Sequence, residues 1–353
     1  MASNELSVGD VWKVQATPND NTVDGNSVMS NNVTIQSAAQ ITSLVLNSTF
    51  GTNLTNENLT AYSTTLFNST KVFYNWYKNN APVTIFNMPM DGGTLAEGNT
   101  KVRDYALGNN LTLGNGTAGT QPIYNSTGGY DGKGAYEFAP SNFLVSSNNF
   151  VVQGNIPRTV SAWIKPHNIS GNAMIFAWGN SANGNKFGLF YSGSAYSVWG
   201  FGGGFDWNTG VPVTFNQWSF ITVGYNGSTT KVYINGILNK TNSSYVFNTG
   251  TGPIYVGGTE DYGVIKSFYN GTIDEFIVWN KSLSDQEVSA LYNSYLQNKS
   301  NNIMVSNELT VGDIWKVQAT PNDNTADGTS VVSNNVTIQS TVGITSLILN
   351  STS

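Results

Sequence analysis

Carboxylates are the main acid–base and metal-binding groups in this 353-residue chain, which has no cysteine and one histidine. That inventory leaves no thiolate nucleophile, disulfide, zinc–thiolate site or multi-histidine metal site. His167 sits in Lys165-Pro-His-Asn and reads as an exposed loop residue, so no Ser/His/Asp set can be assembled around it. Asp274 and Glu275 are adjacent on an expected strand, which turns their side chains to opposite faces and prevents their acting as a pair. Glu260-Asp261 lies beside Gly258 in an expected loop. Asp20 and Asp24 sit in Asn19-Asp-Asn-Thr-Val-Asp-Gly, which misses the twelve-residue calcium-loop pattern and reads as a turn. Aromatic rings are the other resource. Trp178, Trp199, Phe205 and Trp207 lie among glycines and asparagines, where an exposed ring can stack on a sugar. The alternation Tyr196-Ser-Val-Trp-Gly-Phe favours a core place for Trp199, so Trp207 and Trp178 are the sugar-stacking candidates.

Covalent chemistry points to the surface. The chain carries 48 Asn and 17 Asn-x-Ser/Thr triplets, none with proline in the middle. Composition alone would supply about 10. The candidate glycosylation sites are Asn32, Asn47, Asn53, Asn58, Asn68, Asn110, Asn115, Asn125, Asn168, Asn226, Asn239, Asn242, Asn270, Asn280, Asn298, Asn335 and Asn350. Only 10 % of residues are charged, well below the roughly 25–35 % of an ordinary soluble surface. Covalent N-glycans would supply the missing hydration. Many glycans without disulfides fit a microbial, for instance archaeal, extracellular surface. The net charge of −6 argues against a nucleic-acid partner, and no apolar run approaches the length of a membrane span.

What positions these groups is a tandem organisation. Residues 4–49 return at 307–352 with a constant offset of 303; 37 of the 46 pairs are identical, as in Gly9-Asp-Val-Trp-Lys-Val and Gly312-Asp-Ile-Trp-Lys-Val. Each copy opens on an alternating strand with Trp12, Val14 and Ala16 on one face, followed by a Pro-Asn-Asp-Asn turn. Further strands are expected at Asn32–Gln36, Ile41–Leu46, Asn58–Tyr62 and Lys71–Asn80. Tyr74-Asn-Trp-Tyr-Lys-Asn resembles the C strand of an immunoglobulin-like domain, with Trp76 as its buried tryptophan. The repeated Gly-Asp-Val/Ile-Trp-Lys-Val resembles the F strand, with Trp12 and Trp315 at the corner-tyrosine position and Val14 and Val317 in place of the second cysteine.

The resemblance implies split units: 1–40 the second half of one domain, 41–88 the first half of another, 301–340 the second half pairing with 41–88, and 341–353 the start of the next repeat. An orphan half-sandwich exposes edges and an apolar face. The partner expected for 1–40 is a copy of the chain, joined head to tail, or a covalent neighbouring repeat.

Between these halves, 89–300 changes character. Met90-Asp-Gly-Gly, Thr159-Val-Ser-Ala-Trp-Ile-Lys-Pro, Lys231-Val-Tyr-Ile-Asn-Gly and Gly271-Thr-Ile-Asp-Glu-Phe-Ile-Val-Trp-Asn-Lys-Ser-Leu-Ser-Asp-Gln-Glu-Val occur in that order. The order resembles laminin-G-like, concanavalin-A-like jelly rolls. Asn235-Gly236 predicts a hairpin turn. Ser284 and Glu287 predict a capping box on a short helix whose apolar face carries Val288, Leu291, Tyr292 and Tyr295. The Glu-x-Asp-x-x-Glu strand of glucanases with this fold is absent. The resemblance implies Asp91 and Asp274 as calcium ligands. The expectation is therefore an all-β, non-enzymatic, extracellular glycoprotein: a subunit or repeat segment of a surface filament polymerised through split Ig-like domains. The alternative is a carbohydrate-binding adhesin that uses the jelly roll.

Overall fold

The computed structural model describes residues 5–7, 9–35, 39–66, 71–92, 95–96, 100–167, 171–202, 204–297 and 300–340. Among the described residues the regular structure is almost entirely β, with one α-helix, Asp285–Leu296.

Strand Lys71–Lys78 pairs antiparallel with Ile314–Asn322 over eight residues, from Trp315 opposite Lys78 to Asn322 opposite Lys71. Val331–Val332 and Val336–Thr337 extend this sheet on one side and Ala81–Pro82 on the other. A facing three-stranded sheet is built from Ile41–Ser48, Leu59–Thr65 and Ile303–Met304. Leu46, Leu59 and Ala61 of one sheet pack on Trp76, Trp315, Val317 and Ala319 of the other. Trp76 and Trp315 meet edge to face at 6.3 Å, and the Trp76 Nε1–H donates to the Asn301 carbonyl at 2.6 Å. Truncating either tryptophan to alanine removes about 3–5 kcal/mol of packing.

The insert is a jelly roll of a nine-stranded and an eight-stranded sheet enclosing the largest core. Gly271–Trp279 lies within the eight-stranded sheet and is buried along its whole length. Its partners are Ala135–Phe138, Arg158–Pro166 and Thr84–Met88. The jelly-roll sheet thus begins at Thr84, a few residues before the expected boundary at 89. Asn235 (φ 51°) and Gly236 (φ 76°) make the two-residue hairpin turn, both in the left-handed conformation that the right-handed twist of the strands requires.

The helix starts on the capping box: Ser284 Oγ accepts from the Glu287 N–H at 3.2 Å, and the Ser284 N–H donates to Glu287 Oε2 at 2.7 Å. Val288, Leu291 and Tyr295 are buried against Trp163 and Phe220 of the eight-stranded sheet and continue into the core that holds Trp76 and Trp315. Sandwich and helix therefore share one core with the outer face of the eight-stranded sheet, separate from the core between the two jelly-roll sheets.

Residues 9–35 are different. They form two two-stranded ladders, Val11–Trp12 with Val33–Thr34 and Gln15–Ala16 with Val28–Met29. Val11, Val14, Val28 and Val33 are more than half exposed.

Candidate functional site

Two places concentrate chemistry. The first is the junction of sandwich and jelly roll. The Lys71 ammonium lies 2.8 Å from Asp91, 2.9 Å from Asp131 and 2.6 Å from Glu275, with every side chain at most 2 % exposed. Asp274 adds its field to the same cluster and accepts from the Tyr130 N–H at 3.2 Å. The expectation that Asp274 and Glu275 face opposite ways fails here. A β-bulge shifts the register against Arg158–Pro166, and Glu275 takes the left-handed conformation (φ 51°). A bulge breaks the period of two, so consecutive side chains can serve one cluster. Burial pushes the Glu275 carboxyl up to about 7, and Lys71 only partly offsets it. Burial likewise raises Asp91 and Asp274. For Lys71 burial works against the charge, but the surrounding carboxylates outweigh it and hold the ammonium well above its ordinary range.

The cluster bears directly on calcium. Asp91 and Asp274 do belong to one acidic group, yet a lysine ammonium stands where its oxygens converge. Calcium wants about six to eight oxygens around a central position, and the ammonium fills that position. Asp91 and Asp274 as arranged do not fit the ion. No group of three or more His, Cys, Asp or Glu that could hold a metal occurs among the described residues.

The second place is the outer face of the nine-stranded sheet. Trp199 stands opposite Gly188, which stands opposite Ala177, and the ring packs on the small outer cluster of Met174, Ala177 and Phe190. The Lys186 ammonium lies 4.9 Å from the Trp199 ring centre. It is held by the carbonyl of Glu260 and, at 3.4 Å, by Thr259 Oγ1. These residues open the hairpin Thr259–Lys266, which lies against this face and is tied to it by the Tyr262 N–H donating to Ser181 Oγ at 3.1 Å. Glu260-Asp261 is thus a hairpin strand rather than a loop. At the hairpin tip Tyr262 is 76 % exposed and meets Phe201 edge to face at 5.7 Å; Phe201 in turn lies 5.7 Å from Trp199. Phe201 (φ 70°) and Tyr262 (φ 52°) both occupy the left-handed region, which is costly for a bulky side chain. Asp206 Oδ1 accepts from the Gly200 and Phe201 N–H groups and fixes the Phe201 loop. Partial burial raises the Asp206 carboxyl.

The sequence candidates for stacking lie elsewhere. Trp178 is 1 % exposed, with its Nε1–H donating to the Val152 carbonyl at 2.7 Å, and has no free face. Trp207 pairs with Val198, whose side chain points into the jelly-roll core, and so packs against that core too. The same alternation sends Trp199 outward. The sequence contained this signal: Tyr196 and Val198 inside require Trp199 outside.

Asn68, Asn168, Asn298 and Asn350 lie outside the described residues. The other thirteen sequon asparagines are all exposed or half-exposed, Asn115 and Asn226 at turn tips. His167 is exposed, and its carbonyl accepts from Tyr191 Oη at 2.6 Å.

Residues 131–289 match the laminin-G-like family model of the concanavalin A-like lectin/glucanases superfamily. This portion of the chain is a jelly roll of that kind. No curated protein matches the chain. Three solved structures are similar in part. The binding domain of Paraclostridial Mosquitocidal Protein 1 has a TM-score of 0.46 at 17 % identity over 60 % of this chain and 52 % of that one. Domain 4 of AbnA, an extracellular arabinanase from Geobacillus stearothermophilus in complex with arabinotriose, gives 0.40 at 17 % over 51 % and 85 %. The binding domain of Botulinum neurotoxin serotype G gives 0.41 at 15 % over 61 % and 51 %. The chain spans about half the length of the first of these.

Proposed function

We propose that the protein is a carbohydrate-binding module of an extracellular, N-glycosylated surface protein. Its jelly roll presents Trp199, Phe201 and Tyr262 to a neutral glycan. The observation that carries the reading is the aromatic surface itself: Tyr262, 76 % exposed at the hairpin tip, lies edge to face on the half-buried, left-handed Phe201, which adjoins Trp199. Residues kept in costly conformations cluster where a ligand is clamped. Tyr262 takes its left-handed conformation from the two-residue turn Tyr262-Gly263 (φ 52° and 81°), which lifts its ring to the tip of the hairpin. The carboxylates of Glu260 and Asp261 are matched by the ammonium groups of Lys186 and Lys266, the latter paired with Asp261, so the face carries no net charge and suits a neutral sugar. Binding rather than catalysis fits the engagement of Asp274 and Glu275 in the Lys71 cluster, and binding without calcium fits the ammonium at its centre.

The test is a glycan array followed by titration of the best ligand. Tyr262→Ala and Trp199→Ala are each expected to weaken binding at least about tenfold, or about 1.4 kcal/mol, whereas Trp207→Ala and EDTA leave it unchanged. No glycan bound by the wild type, or full affinity in Tyr262→Ala, overturns the reading.

A second reading concerns how the module is displayed. The exposed apolar face of 9–35 favours repeats linked through Ig-like halves into a surface fibre. Electron microscopy of native material would show filaments under it and isolated particles otherwise.

A further inference from the structure

The chain contains its own template for what covers residues 5–35. The copy at 308–338 is docked, and the first copy has the same local fold. Trp12 pairs with Val33 as Trp315 pairs with Val336. The Val14 N–H donates to Ser30 Oγ at 3.0 Å as the Val317 N–H donates to Ser333 Oγ at 3.0 Å. Asn19 Nδ2 donates to Asp24 at 2.7 Å as Asn322 Nδ2 donates to Asp327 at 2.8 Å. What differs is burial: Val317 is 0 % exposed and Val14 65 %, Val336 3 % and Val33 55 %.

The substitutions between the copies decide the matter. Over 5–35 there are five: Ser7/Thr310, Val11/Ile314, Val23/Ala326, Asn26/Thr329 and Met29/Val332. All five fall at positions exposed in the docked copy, and every position buried there is unchanged. A free-standing segment has no reason to keep a buried face it never buries.

The retained residues also say how far the partner extends. In the docked copy Asn334 exchanges two 2.9 Å hydrogen bonds with the Leu46 backbone, and Asp313 pairs with Lys78 at 2.7 Å. Beyond the sandwich, Asn322 Nδ2 donates to the Gly92 carbonyl at 2.7 Å. Asn324 Nδ2 donates to the Ser126 carbonyl at 3.0 Å, and Asp327 accepts from Arg103 and Tyr105, each at 2.6 Å. Asn31, Asp10, Asn19, Asn21 and Asp24 hold the corresponding places.

We infer that residues 5–35 are a preformed docking face for the 41–300 unit of a second copy of this chain, sandwich strands and jelly-roll rim together, in the place that copy's own 308–338 otherwise holds. The register places Val14 opposite Trp76, and Asp24 against Arg103 and Tyr105, of that copy. The inference deepens the linked-repeat reading and rests on it for its setting.

The test uses full-length chains. An acceptor carrying Trp12→Asp, Val14→Asp, Trp315→Asp and Val317→Asp loses both closing segments, since the interior cannot house two carboxylates. It is co-refolded with wild type, which supplies an intact first copy. The expected result is a one-to-one heterodimer by native mass spectrometry and light scattering, twice the 38.0 kDa of one chain. A donor with Trp12→Asp and Val14→Asp, its own fold intact, gives none, and Asp24→Ala in the donor weakens the heterodimer severalfold. An acceptor that stays unfolded or monomeric beside wild type, or that pairs equally with the mutant donor, overturns the inference. Heterodimers without native filaments would reject the fibre reading and leave this interface standing.

Discussion

Replacing Lys71 by methionine tests the junction most directly. The side chain stays unbranched, one atom shorter, and loses its charge, leaving Asp91, Asp131 and Glu275 around an apolar tip in a site at most 2 % exposed. Removing one partner of a buried ion pair costs about 3–5 kcal/mol. Here three carboxylates lose their counter-charge, but they have an escape: a buried acid takes up a proton instead of remaining an unpaired anion. Glu275, already pushed up to about 7, protonates first. At pH 7.5 Lys71→Met should therefore destabilise by about 3–5 kcal/mol, a fall in Tm of roughly 4–7 °C for a chain of this length. At pH 5 the loss should be smaller, because Glu275 is then protonated and no longer depends on the ammonium charge. Calorimetry and circular dichroism of both proteins at the two pH values supply the comparison. A loss under about 1 kcal/mol at pH 7.5, or one of equal size at both pH values, would refute the argument.

The wild type should itself lose stability between pH 5 and 7.5. A carboxyl raised in the folded state binds its proton more tightly there than when unfolded, so its contribution is complete below the ordinary range and disappears as pH rises through about 7. Tm against pH should be shallower for Glu275→Gln, and a parallel profile would count against the assignment. Identical residues in the two copies should behave differently: Trp315→Ala should cost about 3–5 kcal/mol by chemical denaturation, while Trp12→Ala in the isolated chain should cost under about 1 kcal/mol. Equal effects would mean that the first copy is packed after all. Addition of calcium or EDTA should leave the wild-type Tm unchanged, since the ammonium already fills the acidic cluster, and a calcium-dependent rise would reverse that conclusion.

Local signals read well where a few neighbouring residues set the geometry. Ser284 and Glu287 specify a capping box because the donors they satisfy are three residues away. Asn235-Gly236 specifies its turn because only such residues take two left-handed conformations in succession cheaply. Alternation failed as a guide at Asp274-Glu275, where a bulge that depends on the partner strand resets the faces. At Trp199 alternation separates two faces without saying which is buried, and the cross-strand register that pairs Trp207 with Val198 settles it.

By itself the amino-acid sequence determined the all-β class, the 303-residue repeat, the insert between its copies and the surplus of surface sequons. These are properties of composition, period and near neighbours. Folding in three dimensions settled that Lys71 reaches Asp91, Asp131 and Glu275, groups up to 204 positions away along the chain. It also decided that an outward tryptophan, a strained phenylalanine and a hairpin tyrosine share one surface, and that one copy of the repeat is buried while its near-twin is bare. The reason is physical: burial and charge pairing belong to whatever the folded chain brings alongside, and the same residues acquire different environments when that neighbour differs.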